Sequence, residues 1–365
     1  MKTEGLELIR RLSLAFGPTG YTDEVLAIVR EELEGIVPTE TDRMNVLTVK
    51  IPGGGDGYDP ANPKKVLFSA HADEVGFLIV GIDDGGYLYF RPVGGIDAKV
   101  LCGRSVLVGE HRIPGVISAK AIHHMSGDER KKVFEAEDLY INIGAADKAD
   151  AEKYVSVGDY AAFDSEFVRF GEDGKYIKCK ALDDRLGCAV MIEAIRRMKQ
   201  EKLTVPYDLY FAFTDGEEIG CSLAKTTANR ISPDFAVILE TTAIADLPGT
   251  PDAKKVAFVG NGGVMGFMDR GTIYPREVLD FAFRTAEKHG IAAQTKHFVS
   301  GGNDAGVIHK TGTGVRVLNI SCATRYLHGP ALVESVADCE AIRDLVYAII
   351  TDVASEGGLI RCTNS

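Results

Sequence analysis

Two adjacent carboxylates, Glu217 and Glu218, follow an apolar run at residues 208–213 that is rich in Leu, Tyr and Phe. Such a run predicts a strand buried on both faces, and buried strands of α/β proteins present their carboxyl ends to a ligand crevice. A lone acidic pair favours a solvated loop, because charged residues are common on protein surfaces. The pair therefore indicates chemistry only if other residues of catalytic or metal-binding type occupy equivalent places in the fold.

Four further residues occupy such places. They are His71 at the end of the apolar run 65–71, Asp183 at the start of an apolar helix, Glu240 after the run 234–239 and His328 beyond the run 315–321. Because strand ends in an open α/β sheet converge on one crevice, we expect these side chains to lie near the acidic pair. Helix capping is the plain alternative for Asp183, and the sequence does not separate Asp183 from Asp184 as the metal ligand.

Two histidines with three carboxylates form a ligand set that suits two borderline divalent ions, since it mixes nitrogen with oxygen and uses no thiolate. Three negative charges, from Asp183, Glu218 and Glu240, would face four positive charges on two ions, and one bound hydroxide would complete neutrality. Zn²⁺, Co²⁺ and Mn²⁺ all accept such mixed ligands. The sequence therefore predicts two divalent metal ions per subunit.

A hydrolytic site of this kind also needs a bridging carboxylate, an acid that takes a proton from water and an acid that orients a ligand histidine. Glu217 and Glu218 suit a division between base and ligand, because neighbouring residues near a strand end point in opposite directions. Asp73, two residues after His71, is placed to orient that histidine.

The composition excludes several other classes of protein. The 365-residue chain has a formal net charge of -12 and a pI near 5.2, which argues against binding to nucleic acid, since such proteins carry basic patches. The charged start of the chain and the lack of a long apolar run predict a cytoplasmic protein without a signal peptide or membrane span. At 45% hydrophobic residues, the chain can fill the core of one large domain and a smaller one.

Seven cysteines are scattered along the chain without Cys-x-x-Cys pairs. This pattern predicts neither a disulfide framework nor a thiolate zinc site, and most of the thiols are expected to be small buried side chains. The adjacent residues His123 and His124 are expected on an exposed loop, because a histidine pair without a carboxylate partner is a weak signal of metal binding.

Hydrophobic patterning predicts an α/β chain with an all-β insertion. Two amphipathic helices are expected at residues 4–15 and 22–36, with Thr22 capping the second. From about 75 to 165, short β-branched or aromatic runs are separated by Gly, Pro and Asp, which predicts a small antiparallel barrel. Later helices are expected near residues 276–289 and 335–355.

Six motifs occur in a characteristic order and spacing: AHADEVG at 70–76, ALDDR at 181–185, EEIG at 217–220, ADLPG at 245–249, GGNDAG at 301–306 and RYLH at 325–328. They resemble the motifs of the M42 metallo-aminopeptidases, which include tetrahedral, glutamyl and deblocking aminopeptidases. The resemblance covers nearly the whole chain. It implies a three-layer α/β/α zinc-peptidase domain at residues 1–73 and 166–365, interrupted by a β-barrel dimerisation domain at 74–165.

The same resemblance implies a set of roles. His71, Asp183 and Glu240 would hold one metal, Asp183, Glu218 and His328 would hold the other, and Glu217 would be the general base. The expected reaction is removal of N-terminal residues from peptides by metal-activated water. Members of the family form dimers and commonly dodecamers, with the active sites facing an inner chamber.

Three residues depart from the usual pattern of the family: Glu240 stands where Asp is common, Gly216 where Gln is common, and Asn303 where Thr is common. None of these changes removes a required chemical group. The preferred N-terminal residue stays open, because acidic, aliphatic and basic specificities occur in the family. Two alternatives also stay open: a metal-dependent deacylase or dipeptidase with the same site, and a non-catalytic peptide-binding assembly scaffold.

Overall fold

The computed structural model describes residues 3–220 and 222–354 of the chain. Within these residues the α-helices are Thr3–Leu14 (α1), Asp23–Leu33 (α2), Lys148–Ala151 (α3), Leu182–Glu201 (α4), Ser222–Ile231 (α5), Arg276–His289 (α6), Ala305–Ile308 (α7) and Val336–Asp352 (α8). Helices α1, α2, α6 and α8 lie where the periodicity predicts them. The expected end of the last helix, Ser355, lies outside the described residues.

Strands form a central sheet, a barrel and a small sheet. The central sheet contains Thr39–Thr41 (β1), Leu47–Ile51 (β2), Lys65–His71 (β3), Asp208–Thr214 (β12), Phe235–Ala243 (β13), Gly263–Met265 (β14), Ala293–Thr295 (β15) and Arg316–Thr324 (β16). The barrel contains Gly76–Ile82 (β4), Leu88–Val93 (β5), Ser105–Val108 (β6), Ile113–Ala119 (β7), Leu139–Asn142 (β8) and Tyr160–Phe163 (β9). The small sheet contains Val168–Phe170 (β10), Tyr176–Cys179 (β11) and Leu332–Ser335 (β17).

The central sheet has eight strands in the order β1-β2-β12-β3-β13-β16-β14-β15, and its middle strands β12, β3, β13 and β16 run parallel. Helix α4 packs on β3 and β13 and also contacts α1, α2 and α8, whereas α5 packs on β12 and β3 and contacts α7. Almost every side chain of β3, β12 and β13 is buried, as expected for strands covered on both faces. The predicted three-layer α/β/α fold is therefore confirmed.

The inserted β segment closes on itself as a barrel in the order β4-β5-β8-β7-β6-β9. Its core is separate from the main hydrophobic cluster and centres on Phe77, whose ring meets those of Phe90 and Phe163 edge to face at about 5 Å. The barrel predicted from the Gly- and Pro-punctuated runs is thus present. The division of the chain at residues 73/74 and 165/166 stays a prediction.

Local predictions were wrong at two points. Thr22 does not cap α2 through its side chain, because its hydroxyl donates to the carboxylate of Asp215 at 3.0 Å. Glu240 does not follow its strand but lies inside β13, since pairing with β16 continues to Ala243 and Thr324. The small sheet β10-β11-β17 was not predicted.

Within residues 3–220 and 222–354, no helix has the length and apolar character that crossing a membrane requires.

Candidate metal centre

Strand register places His71 and Glu240 side by side. The parallel pairing of β3 with β13 aligns Val66 with Phe235 and continues to Ser69 and Ile238, so the same register puts His71 level with Glu240. His71 is the last residue of β3, whereas β13 extends beyond it. The Glu240 side chain therefore lies at the crevice although the residue is inside a strand, and its Oε1 is 3.5 Å from His71 Nε2.

Asp183 lies between the two histidines. Its Oδ1 is 3.3 Å from His71 Nε2, and its Oδ2 is 3.4 Å from His328 Nε2. Glu218 Oε2 is 3.3 Å from the same nitrogen of His328. The side chains predicted at separate strand ends and loops are thus brought together around the two oxygens of one carboxylate.

The neighbouring residue Asp184 faces a different environment. Its Oδ1 accepts the backbone N–H of Gly187 at 3.0 Å, and its side chain is fully buried at the start of α4. Asp183 and Asp184 are joined by a cis peptide bond, and both have non-helical backbone angles within the bounds of α4. Asp183, and not Asp184, therefore contacts both histidines. The structure thus distinguishes two aspartates that the sequence did not.

Backbone carbonyls orient both histidines. Nδ1 of His71 donates to the carbonyl of Asp73 at 3.0 Å, and Nδ1 of His328 donates to the carbonyl of Gly95 at 2.9 Å. These donations leave Nε2 of each ring facing the carboxylates, which is the arrangement expected of ligand histidines. Gly95 follows the barrel strand β5, so the inserted segment helps to position His328; the sequence offered no signal for this contact.

Asp73 connects His71 to the acidic pair. Its Oδ1 lies 3.4 Å from His71 Nδ1, and its carboxylate accepts the backbone N–H groups of Glu217 at 3.4 Å and Glu218 at 3.3 Å. The hydroxyl of Thr19 donates to the same carboxylate at 2.6 Å. Asp73 is completely buried, so these donors stabilise its charge.

The buried ionisable groups of the cluster act strongly on one another. Burial and the charge of Asp183 raise the pKa of Glu218 and of Glu240 well above the ordinary value for a glutamate. Burial lowers the pKa of His328, but Asp183 and Glu218 outweigh it and raise that pKa to about 9. Burial opposes the ionised form of Asp183, yet the two histidines hold its pKa well below the usual range. A bound cation would favour the ionised form of these carboxylates, since its positive charge opposes the effect of burial.

The residues present fit two divalent ions. One group of possible ligand atoms comes from His71, Asp183 and Glu240, and a second comes from Asp183, Glu218 and His328, with the atoms of each group within 4.8 Å of one another. His71 Nε2 and Asp183 Oδ1 are buried without a hydrogen-bond partner, which is costly unless another partner such as a cation is bound. Imidazole and carboxylate are ligands that zinc and similar ions accept.

Glu217 lies on the loop that follows β12, beside a cavity of about 170 Å³. Asp183, Glu240 and His328 line the same cavity, but Glu217 is in neither ligand group. Gly216 precedes it with φ +83°, a left-handed backbone conformation that favours glycine. This conformation gives a physical reason for the glycine at this position.

The cavity is also lined by Lys296 and Asn303, to which the sequence analysis assigned no catalytic role. Lys296 is the only Lys or Arg among the described residues that line it, and its ammonium donates to the carbonyl of Ser300 at 2.8 Å. Burial lowers the pKa of Lys296, against the opposing charges of Asp269 and Glu240. Asn303 lines the cavity and accepts the N–H of Ala305 at 2.8 Å.

Asp304 is a further buried acid near the centre that was not singled out. It accepts the hydroxyl proton of Thr214 at 3.0 Å, while its Oδ1 has no hydrogen-bond partner. Burial and the charge of Glu217 raise its pKa to about 7. By contrast, His123 and His124 are exposed, as predicted, and belong to no ligand group in the part of the chain that the structure describes.

Comparison with known proteins agrees with this geometry. A family model described as M42 glutamyl aminopeptidase matches residues 57–345. The TET aminopeptidase of the marine sediment archaeon Thaumarchaeota archaeon SCGC AB-539-E09 is 34% identical, with a TM-score of 0.91 over 98% of this chain and 99% of the other. Pyrococcus horikoshii TET1 peptidase, which can assemble into a tetrahedron or a large octahedral shell, is 32% identical, with a TM-score of 0.83 over 95% and 99%.

A lysyl aminopeptidase of Pyrococcus furiosus is 25% identical over 95% of this chain and 97% of its own length. The matched family model covers most of the chain, including all of the candidate ligands. The chain therefore belongs to the M42 family of metal-dependent peptidases, and it is an aminopeptidase.

Proposed function

We propose that the protein removes N-terminal residues from peptides at a site with two divalent metal ions. His71, Asp183 and Glu240 would hold one ion, and Asp183, Glu218 and His328 would hold the other. The position of Asp183 carries this proposal, because its two oxygens face the two histidines at 3.3 and 3.4 Å. A carboxylate so placed is suited to bridge two ions.

The bound ions would lower the pKa of a water molecule shared between them and polarise the scissile carbonyl. Glu217 would take a proton from the attacking water and return it to the leaving amine. This role is supported by its place beside the cavity and outside both ligand groups. Asp73 would orient His71. Its carboxylate would also position Glu217 and Glu218 by accepting hydrogen bonds from their backbone N–H groups.

Lys296 supports a preference for an acidic N-terminal side chain. Its half-buried ammonium lines the same cavity as Glu217, where a carboxylate of the substrate could replace part of its lost hydration. Thr241, Thr242 and Asn303 add polar groups to a lining that also contains the apolar residues Ala243 and Leu327. We therefore propose that glutamyl and aspartyl peptides are better substrates than leucyl or lysyl peptides.

We further propose that the chain associates into dimers and then into dodecamers, since the P. horikoshii TET1 peptidase can assemble into a tetrahedron or a large octahedral shell. Large apolar side chains are exposed at Phe267, Met268 and Ile273, and the last two are paired by a β-bridge. Exposed apolar groups of this kind are common at interfaces between subunits. Light scattering of the wild type and of Ile273→Asp would test the proposal, which predicts a smaller particle for the variant.

The test of the main proposal is hydrolysis of aminoacyl-p-nitroanilides before and after removal of metal. We expect EDTA to abolish activity and Zn²⁺, Co²⁺ or Mn²⁺ to restore it, with two ions bound at the catalytic centre of each chain. Full activity in protein shown to be free of metal would refute the two-ion site. N-acyl amino acids and dipeptides belong in the same substrate panel, because a deacylase or dipeptidase could use the same ligands.

A further inference from the structure

A second group of metal-binding side chains lies outside the catalytic centre. It consists of Cys322 on β16, Glu334 on β17 and Cys339 in the first turns of α8. One ligand atom from each residue lies within 4.8 Å of the other two, and all three side chains have 0% exposure. We propose that these residues form a third metal site, a thiolate site for Zn²⁺ that is separate from the two ions of the proposed reaction.

The spacing of the ligand atoms is close to that around zinc. Cys339 Sγ lies 3.8 Å from Glu334 Oε2. Zinc–sulfur bonds of about 2.3 Å and zinc–oxygen bonds of about 2.0 Å place tetrahedral ligand atoms roughly 3.5–3.8 Å apart. Since all three ligand atoms lie within 4.8 Å of one another, movements of at most about 1 Å would bring the donors to bonding distance.

The carboxyl group of Glu334 is oriented for this role. The hydroxyl of Thr324 donates to Oε1 at 2.8 Å, which leaves Oε2 on the side of Cys339. Hydrogen bonds of this type to one carboxylate oxygen commonly orient the other oxygen toward a metal. The nearby acid Asp338 is used differently, because its two oxygens accept the N–H groups of Gly260 and Gly262 at 2.7 and 2.6 Å.

The electrostatic surroundings favour a cation. Glu334 is completely buried, and the side-chain charges of Asp183 and Asp338 that act on it are both negative. A Zn²⁺ ion would displace two thiol protons and one carboxyl proton, giving a net ligand-plus-metal charge of −1. Zinc sites with three thiolates and one histidine have the same charge.

The mixed donor set points to zinc. Two thiolates exclude a preference for Mg²⁺, Ca²⁺ or Mn²⁺, which select oxygen ligands, whereas the carboxylate is a poor partner for Cu(I). Zn²⁺ accepts both sulfur and oxygen. The site would join β16, β17 and the start of α8 and would stabilise the packing of these three elements.

Cobalt substitution tests the inference without any activity measurement. The ligands of the proposed catalytic centre are nitrogen and oxygen only, so sulfur-to-cobalt charge-transfer absorption in the near ultraviolet reports the third site. We expect this absorption in the Co²⁺-loaded wild type and its loss in the double variant Cys322→Ser/Cys339→Ser. The double variant should also bind one Zn²⁺ fewer per chain.

Cys102→Ser and Cys188→Ser serve as controls, since one thiol is exposed and the other donates to the carbonyl of His71. Both controls should keep the charge-transfer absorption. Its persistence in the Cys322/Cys339 double variant, or its absence from the wild type at saturating Co²⁺, would overturn the proposal. If the double variant does not fold, X-ray absorption of the zinc-loaded wild type decides, because the proposal requires zinc–sulfur scattering at about 2.3 Å.

Discussion

The carboxylate of Asp73 accepts the backbone N–H of Glu218 at 3.3 Å. The same carboxylate lies 3.4 Å from Nδ1 of His71, so one buried group contacts a ligand of each proposed metal ion. His71 is the last residue of β3, whereas Glu218 lies on the loop that follows β12. A change at Asp73 is therefore expected to affect both ions together.

For Asp73→Ala we expect the affinity for both ions to fall by about 10–100-fold, because groups that orient metal ligands typically contribute that much. Competition with a chromogenic chelator measures the affinity. Asp128 is an exposed aspartate between β7 and β8, so Asp128→Ala is the matched control and should bind metal as the wild type does. Unchanged affinity in Asp73→Ala would leave Asp73 with no positioning role.

Glu217→Gln should keep both ions and lose turnover. Loss of a general base typically lowers kcat by about 10²–10⁴-fold, and the amide is nearly isosteric with the carboxylate. Glu218→Gln should instead lose metal, since Glu218 is in a ligand group. Metal analysis and kcat are measured on the same samples, with the exposed Glu110→Gln as control. Wild-type turnover in Glu217→Gln would assign the base role elsewhere.

Lys296→Met tests the proposed acidic preference. Removal of a hydrogen bond to a charged group typically costs about 1.5–3 kcal/mol, so we expect kcat/KM for glutamyl p-nitroanilide to fall at least about tenfold relative to the leucyl substrate. Lys254→Met, an exposed lysine away from the cavity, should leave the ratio unchanged. A wild-type enzyme that cleaves leucyl or lysyl substrates faster would contradict the preference while preserving the aminopeptidase activity.

Asp304→Asn should flatten the pH dependence of stability in metal-depleted protein. Burial raises the pKa of Asp304 from 3.8 to about 7, so the folded state binds the proton more tightly than the unfolded state. The associated stability is fully present below about pH 4 and is lost as the pH rises through 7, by roughly 4 kcal/mol at most. The asparagine side chain cannot ionise, but its amide oxygen can still accept a hydrogen bond from the hydroxyl of Thr214.

The measurement is the midpoint of thermal unfolding from pH 4 to 8. We expect the wild type to lose more thermal stability over this range than Asp304→Asn. The exposed residue Asp128 provides the control substitution Asp128→Asn, which should follow the wild type. Parallel curves for Asp304→Asn and the wild type would show that this carboxyl does not titrate differently in the folded state.

Much of the candidate site could be predicted because each ligand has a local signature. The apolar run before His71, the acidic start of α4 and the apolar strand before Glu217 each indicate a strand end or helix start from a few residues. The open α/β architecture then predicts that such ends converge. The barrel could also be predicted from the sequence, since its short strands and glycine-containing turns are local features.

Tertiary structure alone decided the contacts that depend on register or on distant segments. Asp183 and Asp184 are equivalent in sequence, and only the backbone path at the start of α4 turns Asp183 toward both histidines. Glu240 reaches His71 because the parallel register of β3 and β13 sets them level, not because its strand ends there.

The sequence also does not reveal which cysteine side chains lie close together in the fold. The cysteine spacing predicted no thiolate site, because Cys322 and Cys339 lie 17 positions apart without a metal-binding motif. The turn from β17 into α8 places Cys339 beside β16 and next to Glu334, which is how a scattered pair becomes a cluster. Sequence thus determined the family, the layers and the types of ligand, whereas chain packing decided which side chains meet, since contacts between distant residues depend on the whole fold.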